Sequence, residues 1–542
     1  MPGDISVLLN EDLLQNVLSR LPAISFASAA CVNKSWNKVC NRILSRPKLA
    51  SALSLSHPVD VAVSEVLNEV LSEPIRPHFA IAFVGLQFNL ALAHHLITRR
   101  LGSRTPIITN ASAGIIGVDA RTNELNEVKW KVLDEIGPGN YEPINFHSDD
   151  VDRCGIVLVV GFVPGLKVDT IPLLRPKMGP NMAMVDKFMM DIRRYTASVS
   201  GCTSPDAIIL VGDRYFDLKP VLAEMDYGLP EETVFVGDAR GCFFFKSGDN
   251  SQNYYRNFYF FDAVALVFAR DEDKSDVTGE IQFNVTMSTG VLPFGPKLKA
   301  VSVKVNNANC SRFTAKMEGQ HEVLDSEGLL EDIKDQIEDE HPCLYIGVTH
   351  RRECSIGSHL SGPKSNVTLY EVLGGEKDHF VINGVGLKPG DTFVFYHSDS
   401  DTASCSCDHV FEDLKILKRS SSSSSSSSSC RRNNKEVFGG LIFSCFSRKG
   451  ILFGHDEDYV ESVPFYKNFP GIPLAGVFCS GEIGRGGRFT SKIIEEEEEE
   501  EGDDNDDDDD EDEDGSILGQ CFLHYYSTVY LVMSYTPPPP QP

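Results

Sequence analysis

Leu8-Leu9-Asn10-Glu11-Asp12-Leu13-Leu14-Gln15-Asn16-Val17-Leu18-Ser19-Arg20-Leu21-Pro22 lies near the N-terminal end, followed by Phe26-Ala27-Ser28-Ala29-Ala30-Cys31-Val32-Asn33-Lys34-Ser35-Trp36-Asn37-Lys38-Val39. Leu9, Leu13, Leu14, Val17, Leu18 and Leu21 recur at the three-to-four spacing of an apolar helix face, with Asn10 placed as the cap and Pro22 as the stop. A second pattern places Phe26, Ala29, Ala30, Val32, Trp36 and Val39 inward. It breaks near Val32 and Asn33, which predicts a compact unit of three helices. So short a segment rarely buries enough apolar surface to fold alone, so it is expected to lean on a partner.

The order of Leu9, Glu11, Leu13, Leu14, Val17, Leu18, Leu21, Pro22, Val32, Trp36 and Val39 resembles the F-box, here over residues 6–49. The usual Leu-Pro at the start of that module is Leu9-Asn10 in this chain, and Asn is itself a good cap. The resemblance implies docking on the Skp adaptor of SCF-type ubiquitin ligases and, through it, on cullin and RING subunits. It assigns adaptor binding to Leu9, Leu13, Leu14, Val17, Leu18, Leu21, Pro22, Val32 and Trp36. The plain alternative is a three-helix core in which Leu and Trp are merely buried.

At 542 residues the chain is long enough for two or three domains. Its formal charge is −28, but eighteen carboxylates lie between Glu495 and Asp514, so the remainder carries only about −10. No broad basic face is evident, which argues against nucleic-acid binding. No run has the length and apolarity of a signal sequence or a bilayer span, so no membrane role is expected. Fourteen scattered cysteines suit reduced thiols in a cytoplasmic or nuclear protein.

Residues 50–78 read as a connector with a short helical piece bounded by prolines. From Phe79 the pattern becomes short apolar runs: Phe79 to Val84, Pro106 to Thr109, Gly155 to Val163, Ala207 to Val211, Thr233 to Val236 and Ala263 to Phe268. Such runs predict strands buried on both faces, and the helical periods between them, Leu86 to Leu101 and Val185 to Tyr195, imply α/β architecture. A second α/β region from Leu298 offers strands near 300–305, 344–348, 380–396, 440–443, 474–478 and 525–533. No Leu-x-x-Leu-x-Leu-x-x-Asn recurrence is present, which disfavours a leucine-rich-repeat solenoid. The polyserine tract (419–433) and the acidic run (495–515) cannot offset their ordering entropy by burial and are expected as insertions. Residues 535–542 read as a proline-rich tail.

Three further stretches carry a second resemblance: Thr109-Asn110-Ala111-Ser112-Ala113-Gly114-Ile115-Ile116-Gly117, Gly386-Leu387-Lys388-Pro389-Gly390-Asp391, and Pro473-Leu474-Ala475-Gly476-Val477-Phe478-Cys479-Ser480-Gly481-Glu482-Ile483-Gly484. With Phe443-Ser444-Cys445-Phe446-Ser447-Arg448 they resemble the FIST domain, an intracellular sensory fold, as N- and C-terminal regions of 79–297 and 298–534. That resemblance implies an α+β sheet region of two repeated halves behind an all-α F-box, and a small amino-acid-like ligand. Gly114, Gly117, Gly481 and Gly484 could leave backbone amides open beyond strand ends, with Ser112, Ser480 and Glu482 as polar partners. Equally, these glycines could only permit tight turns.

No catalytic group, metal or cofactor is expected. Cys445 has no His-bearing motif beside it, and a buried structural thiol is the better reading. Cys405, Cys407 and His409 lack a second ligand pair at zinc spacing. Lys418-Arg419 and Arg431-Arg432 with Lys435 have the spacing of a two-part nuclear-import signal, or are the charged flanks of a polar loop. The expected function is a substrate receptor that selects a protein for ubiquitination and proteasomal degradation; the alternative is a small-ligand sensor that its F-box only anchors.

Overall fold

The structure, a computed structural model, describes residues 11–130, 154–178, 183–248, 258–273, 279–307, 310–337, 343–352, 364–422, 435–453, 460–485 and 523–538. Leu9, Asn10, the tract 423–434 and the acidic run therefore lie outside the described residues. Three N-terminal helices, Glu11–Leu18, Ala23–Ala30 and Lys34–Ile43, precede an α/β body and match the expected three-helix unit.

The body is built from one strand–helix–strand–helix–strand–strand unit used three times. The first copy runs through strand Lys48–Ser54, helix Val59–Val70, strand Phe79–Gly85, helix Leu90–Leu101, strand Ile107–Ser112 and strand Ile156–Phe162. The second runs through Leu166–Pro176, Val185–Ser200, Ala207–Asp213, Lys219–Gly228, Val234–Lys246 and Tyr259–Arg270. The third uses Glu280–Ser288, helix Ser400–Ser422, Glu436–Cys445, helix Val463–Asn468, Leu474–Cys479 and Thr528–Thr536. In every copy the spatial order is first, fourth, second and third strand, with the two middle-sequence strands parallel and the last antiparallel between its neighbours.

The copies are joined in a ring. The strand Gly114–Val118, just beyond the third strand of copy one, pairs with Leu474–Cys479 of copy three. The strand Glu482–Arg485, just beyond that strand, pairs with the first half of Val234–Lys246 in copy two. The second half of Val234–Lys246 closes the cycle by pairing with Ile107–Ser112. Two repeated halves divided at 297/298 were expected; the structure has three copies. The third copy is masked in the sequence by an insertion between its first strand and first helix: strands spanning 291–398 form a closed six-stranded antiparallel barrel there. Its interior is filled by Leu298, Phe313, Ile346, Phe380, Phe393 and Phe395 and capped by helix Ser326–Ile337.

Period-two alternation divides each central strand between two cores. Phe79, Ile81 and Phe83, Ile209 and Val211, and Leu441 and Phe443 all face one common interior. The intervening residues face helices: Ala80, Ala82 and Val84 meet Val63, Val66 and Ile97, while Ile208 and Leu210 meet Phe188 and Val221. On the third copy Ile442 meets Leu414 and Phe465. Small Ala80 and Ala82 let helices approach closely, and aromatic edges fill the shared centre, with Phe79 against Phe268 at 5.1 Å.

Residues 50–78 are therefore not a connector. Lys48–Ser54 is an edge strand paired with Ile156–Phe162, and Val59–Val70 buries Ala62, Val63, Val66, Leu67 and Val70. The strands do not stack as a leucine-rich solenoid, and among the described residues no helix is long and apolar enough to cross a membrane.

Candidate functional site

The N-terminal unit holds itself together with few residues. Leu18, Phe26, Ala29, Val39 and Cys40 form its small core, with Leu14, Leu21, Trp36 and Ile43 packed partly against them. Asn33 caps the third helix, its side chain accepting the Trp36 backbone N–H at 2.9 Å. A salt bridge of 2.8 Å joins Arg42 to Glu11, but both side chains are about half exposed, so it adds little.

The unit is seated against the body at several points. The Ala23 N–H donates to the Leu71 carbonyl at 2.9 Å, and Ala23 itself joins the core made by Val63, Leu67 and Val70. Leu44 touches both cores. Arg46 pairs with Glu436 of the third copy at 3.0 Å. The three helices thus lean on the body as a short bundle must, yet they still leave apolar groups in solvent.

Leu13 is 45% exposed, Val17 52%, Ile24 53% and Val32 60%. Leu13 and Val17 stand one turn apart on the first helix, Ile24 is on the second, and Val32 follows that helix. Exposed aliphatic side chains at this density on a unit with so small a core mark a surface built to be covered. Of the nine predicted adaptor-binding residues, Leu13, Val17, Pro22 and Val32 are exposed and Leu14, Leu21 and Trp36 are half-buried, while Leu9 lies outside the described residues. Leu18 is only 1% exposed, so it builds the core beneath that surface instead of presenting it. Val32, expected to face inward, points outward because the turn between the helices carries it away. Ile24 was missed: a lone isoleucine between Pro22 and Phe26 carries no periodic signal on so short a helix.

The glycine-rich loops do not form an open ligand site. Gly114 and Gly117 lie in a strand paired on both sides, with Leu474–Cys479 and with Leu125–Lys129. Gly484 is likewise flanked by Val234–Lys246 and sits one residue from the ladder with Leu523 and His524. The glycines serve close packing: a Cβ on Gly114 would lie 2.4 Å from the Val128 carbonyl oxygen, one on Gly117 2.9 Å from Val157, and one on Gly484 2.9 Å from Val529. A Cβ on Gly481 would meet Ala239 and Leu523 at 3.3 Å. Ser112 is buried, and only Ser480 reaches solvent.

Glu482 is fully buried, its Oε2 accepting the Ser527 hydroxyl at 2.9 Å, so it offers nothing to an ammonium group in solution. Burial pushes its carboxyl up to about 8, with Ser527 opposing and Asp238 adding to the rise. Cys445 is buried as well, and burial drives its thiol far above the ordinary range, the Glu482 charge adding to this. It lacks the thiolate a nucleophile needs. Cys405, Cys407 and His409 lie along helix Ser400–Ser422, where Cys407 meets Ser288 and Arg448. Among the described residues no three ligands gather for a metal ion.

Residues 7–47 match the F-box domain. Over 537 residues the chain is 38% identical to an F-box/LRR-repeat protein of Arabidopsis thaliana, covering 97% of this chain and 93% of that one. The relative's name speaks of leucine-rich repeats, whereas the described body here consists of three sheet units and a barrel. F-box domains bind Skp-type adaptors in SCF complexes, and the helical unit found here, with its exposed aliphatic surface, is of that kind. The chain belongs to the family of F-box proteins.

Proposed function

We propose that this protein is a substrate-recognition subunit of an SCF-type ubiquitin ligase, acting in the cytoplasm or nucleus without bond chemistry of its own. The helices dock the Skp-type adaptor through Leu13, Leu14, Val17, Leu21, Pro22, Val32 and Trp36, joined by Ile24. The three-copy body, read as a FIST-type sensory fold, selects the protein to be ubiquitinated. The observation that carries this reading is the exposed Leu13, Val17, Ile24 and Val32 on a unit matching the F-box. Seating of that unit on the body supports it further, because a receptor must hold its cargo at a set distance from the ligase; Ala23, Leu44 and Arg46 supply that seating.

The test is capture of purified adaptor by the full chain and by L13D/V17D. The wild type should hold the adaptor and the variant should lose it at an unchanged melting temperature, since both side chains are already in solvent. Equal capture by both would refute this docking surface.

A further inference from the structure

Where copy two meets the barrel there is a cavity of about 120 Å³ whose wall is mostly polar, lined by Arg214, Tyr215, Asp217, Lys219, Arg240 and Gly384 among others. Arg214 directly follows the strand Ala207–Asp213, and Arg240 lies within Val234–Lys246, the strand parallel to it. The Arg214 backbone N–H donates to the Gly241 carbonyl at 2.9 Å, which holds the two arginines side by side. This is the crevice outside the carboxyl ends of parallel strands, where open α/β sheets receive ligands.

Three cations converge there. Lys219 is 8% exposed at the first turn of its helix, with its ammonium 5.2 Å from the Tyr370 ring and 3.8 Å from Asp217. Neither the Arg214 nor the Arg240 guanidinium forms a salt bridge among the described residues, and both side chains are exposed. Asp213 and Asp238 stand behind them within Coulomb range, but several of their oxygens are already engaged. Asp213 accepts the Tyr215 N–H at 3.0 Å; Asp238 accepts the Arg240 N–H at 3.0 Å and the Asn110 amide at 2.9 Å. On the barrel side, Asn383 donates to Glu371 at 2.9 Å.

Asp217 Oδ1 takes the Lys219 N–H at 3.1 Å, and its Oδ2 is enclosed by protein, without a hydrogen-bond partner among the described residues. The two guanidiniums therefore line the cavity without a carboxylate ion-paired to them among the described residues, the setting in which charge-assisted hydrogen bonds to an anion form. Tyr215, 70% exposed at the rim, offers the kind of aromatic anchor that protein interfaces favour.

We infer that this cavity reads an anionic side chain, phosphorylated or carboxylate, in a peptide segment of the protein substrate, with Arg214 and Arg240 holding the anion and Tyr215 packing against the segment at the rim. The inference rests on the receptor reading above.

The test uses the full chain and fluorescently labelled degenerate peptides with a fixed central phosphoserine, glutamate or alanine, read by anisotropy at low salt. Peptides with an acidic centre should bind at least tenfold more tightly than those with alanine. R214A/R240A should remove that preference at an unchanged melting temperature, and R214E/R240E should reverse it. Preference for phosphoserine alone identifies a phosphorylated segment; equal preference for phosphoserine and glutamate identifies a carboxylate-rich one. Indifference to the central residue, or a preference that survives both variants, overturns the site. Adaptor capture measured on the same preparations separates the two readings: a wild type that captures no adaptor yet keeps the acidic preference defeats only the receptor reading.

Discussion

Glu482 and Asp238 face each other across the antiparallel ladder that joins the third copy of the repeat to the second, both fully enclosed by protein. Burial is the main cause that pushes Glu482 up to about 8 and Asp238 to about 6; for Asp238 the Arg240 N–H and the Asn110 amide oppose the rise. Both carboxyls keep their protons to higher pH in the folded state than in the unfolded one. Their contribution to stability is therefore complete below the ordinary carboxylate range and is lost as pH rises through about 6 and then about 8. For each such group the slope is at most about 1.4 kcal/mol per pH unit. Melting temperature should fall between pH 6 and pH 8, and E482Q should flatten that decline. A wild type whose melting temperature rises over the same interval would contradict this account.

Leu18 tests the division between core and surface in the N-terminal helices. Truncating it to Ala removes a side chain enclosed by Phe26, Val39 and Cys40, a loss of about 2 to 5 kcal/mol in a unit with little to spare. Adaptor capture should fail because the helices loosen, with protection of their amides against hydrogen exchange lost in parallel. L13D/V17D should fail in capture with that protection intact. Should Leu18→Ala leave exchange unchanged, the core assignment is wrong.

Asn33 permits a finer measurement. Asn33→Ala removes the acceptor of the Trp36 N–H and should cost about 1 kcal/mol of local stability. Serine at the same position should restore most of it, so equal losses in the two variants would show that the cap is not what holds the third helix.

What the sequence made legible was whatever is local. The first helix announces itself through its three-to-four period and the strand Phe79–Gly85 through the unbroken apolar run Phe79 to Val84. The strand Lys48–Ser54 did not, because its reason for being a strand is Ile156–Phe162, far along the chain. The third copy was hidden by the barrel set between its first strand and first helix. The candidate ligand loops failed for a related reason. Gly114 and Gly117 look like permissive turn residues until Val128, Phe478 and Val157 are seen in the space a side chain would need. Arg214 and Arg240 gave no signal either, since only the parallel pairing of their strands brings them together.

Those glycines yield their own prediction. Gly114→Val would drive a branched side chain against the Val128 carbonyl and the Phe478 ring, and backbone cannot yield as a flexible side chain can. Gly117→Val and Gly484→Val press on Val157 and Val529. Each should cost about 1 to 3 kcal/mol or more, seen as a lower melting temperature without any ligand present. Variants as stable as the wild type would reopen the reading of these positions as a ligand-facing backbone.

Removing residues 495–514 provides the last test. The described residues stop at Arg485 and resume at Leu523, and Ile483 and Leu523 are direct ladder partners. A short turn can span that gap, and closure entropy changes by only about 0.6 kcal/mol for each halving of loop length. Eighteen carboxylates leave with the segment, taking the formal charge from −28 to −10 and relieving self-repulsion. The melting temperature should stay level or rise slightly. Leu523 also lines the cavity between Arg214 and Arg240, so a polyanion tethered near it should slow the approach of acidic peptides and hasten that of basic ones. Deletion should therefore raise the association rate of phosphoserine peptides at low salt. The difference from the intact chain should vanish near 1 M salt, where the Debye length is about 3 Å. Equal rates for intact and deleted chains at low salt would show that the run exerts no field at the cavity, and a deletion that fails to fold would place part of it in the core.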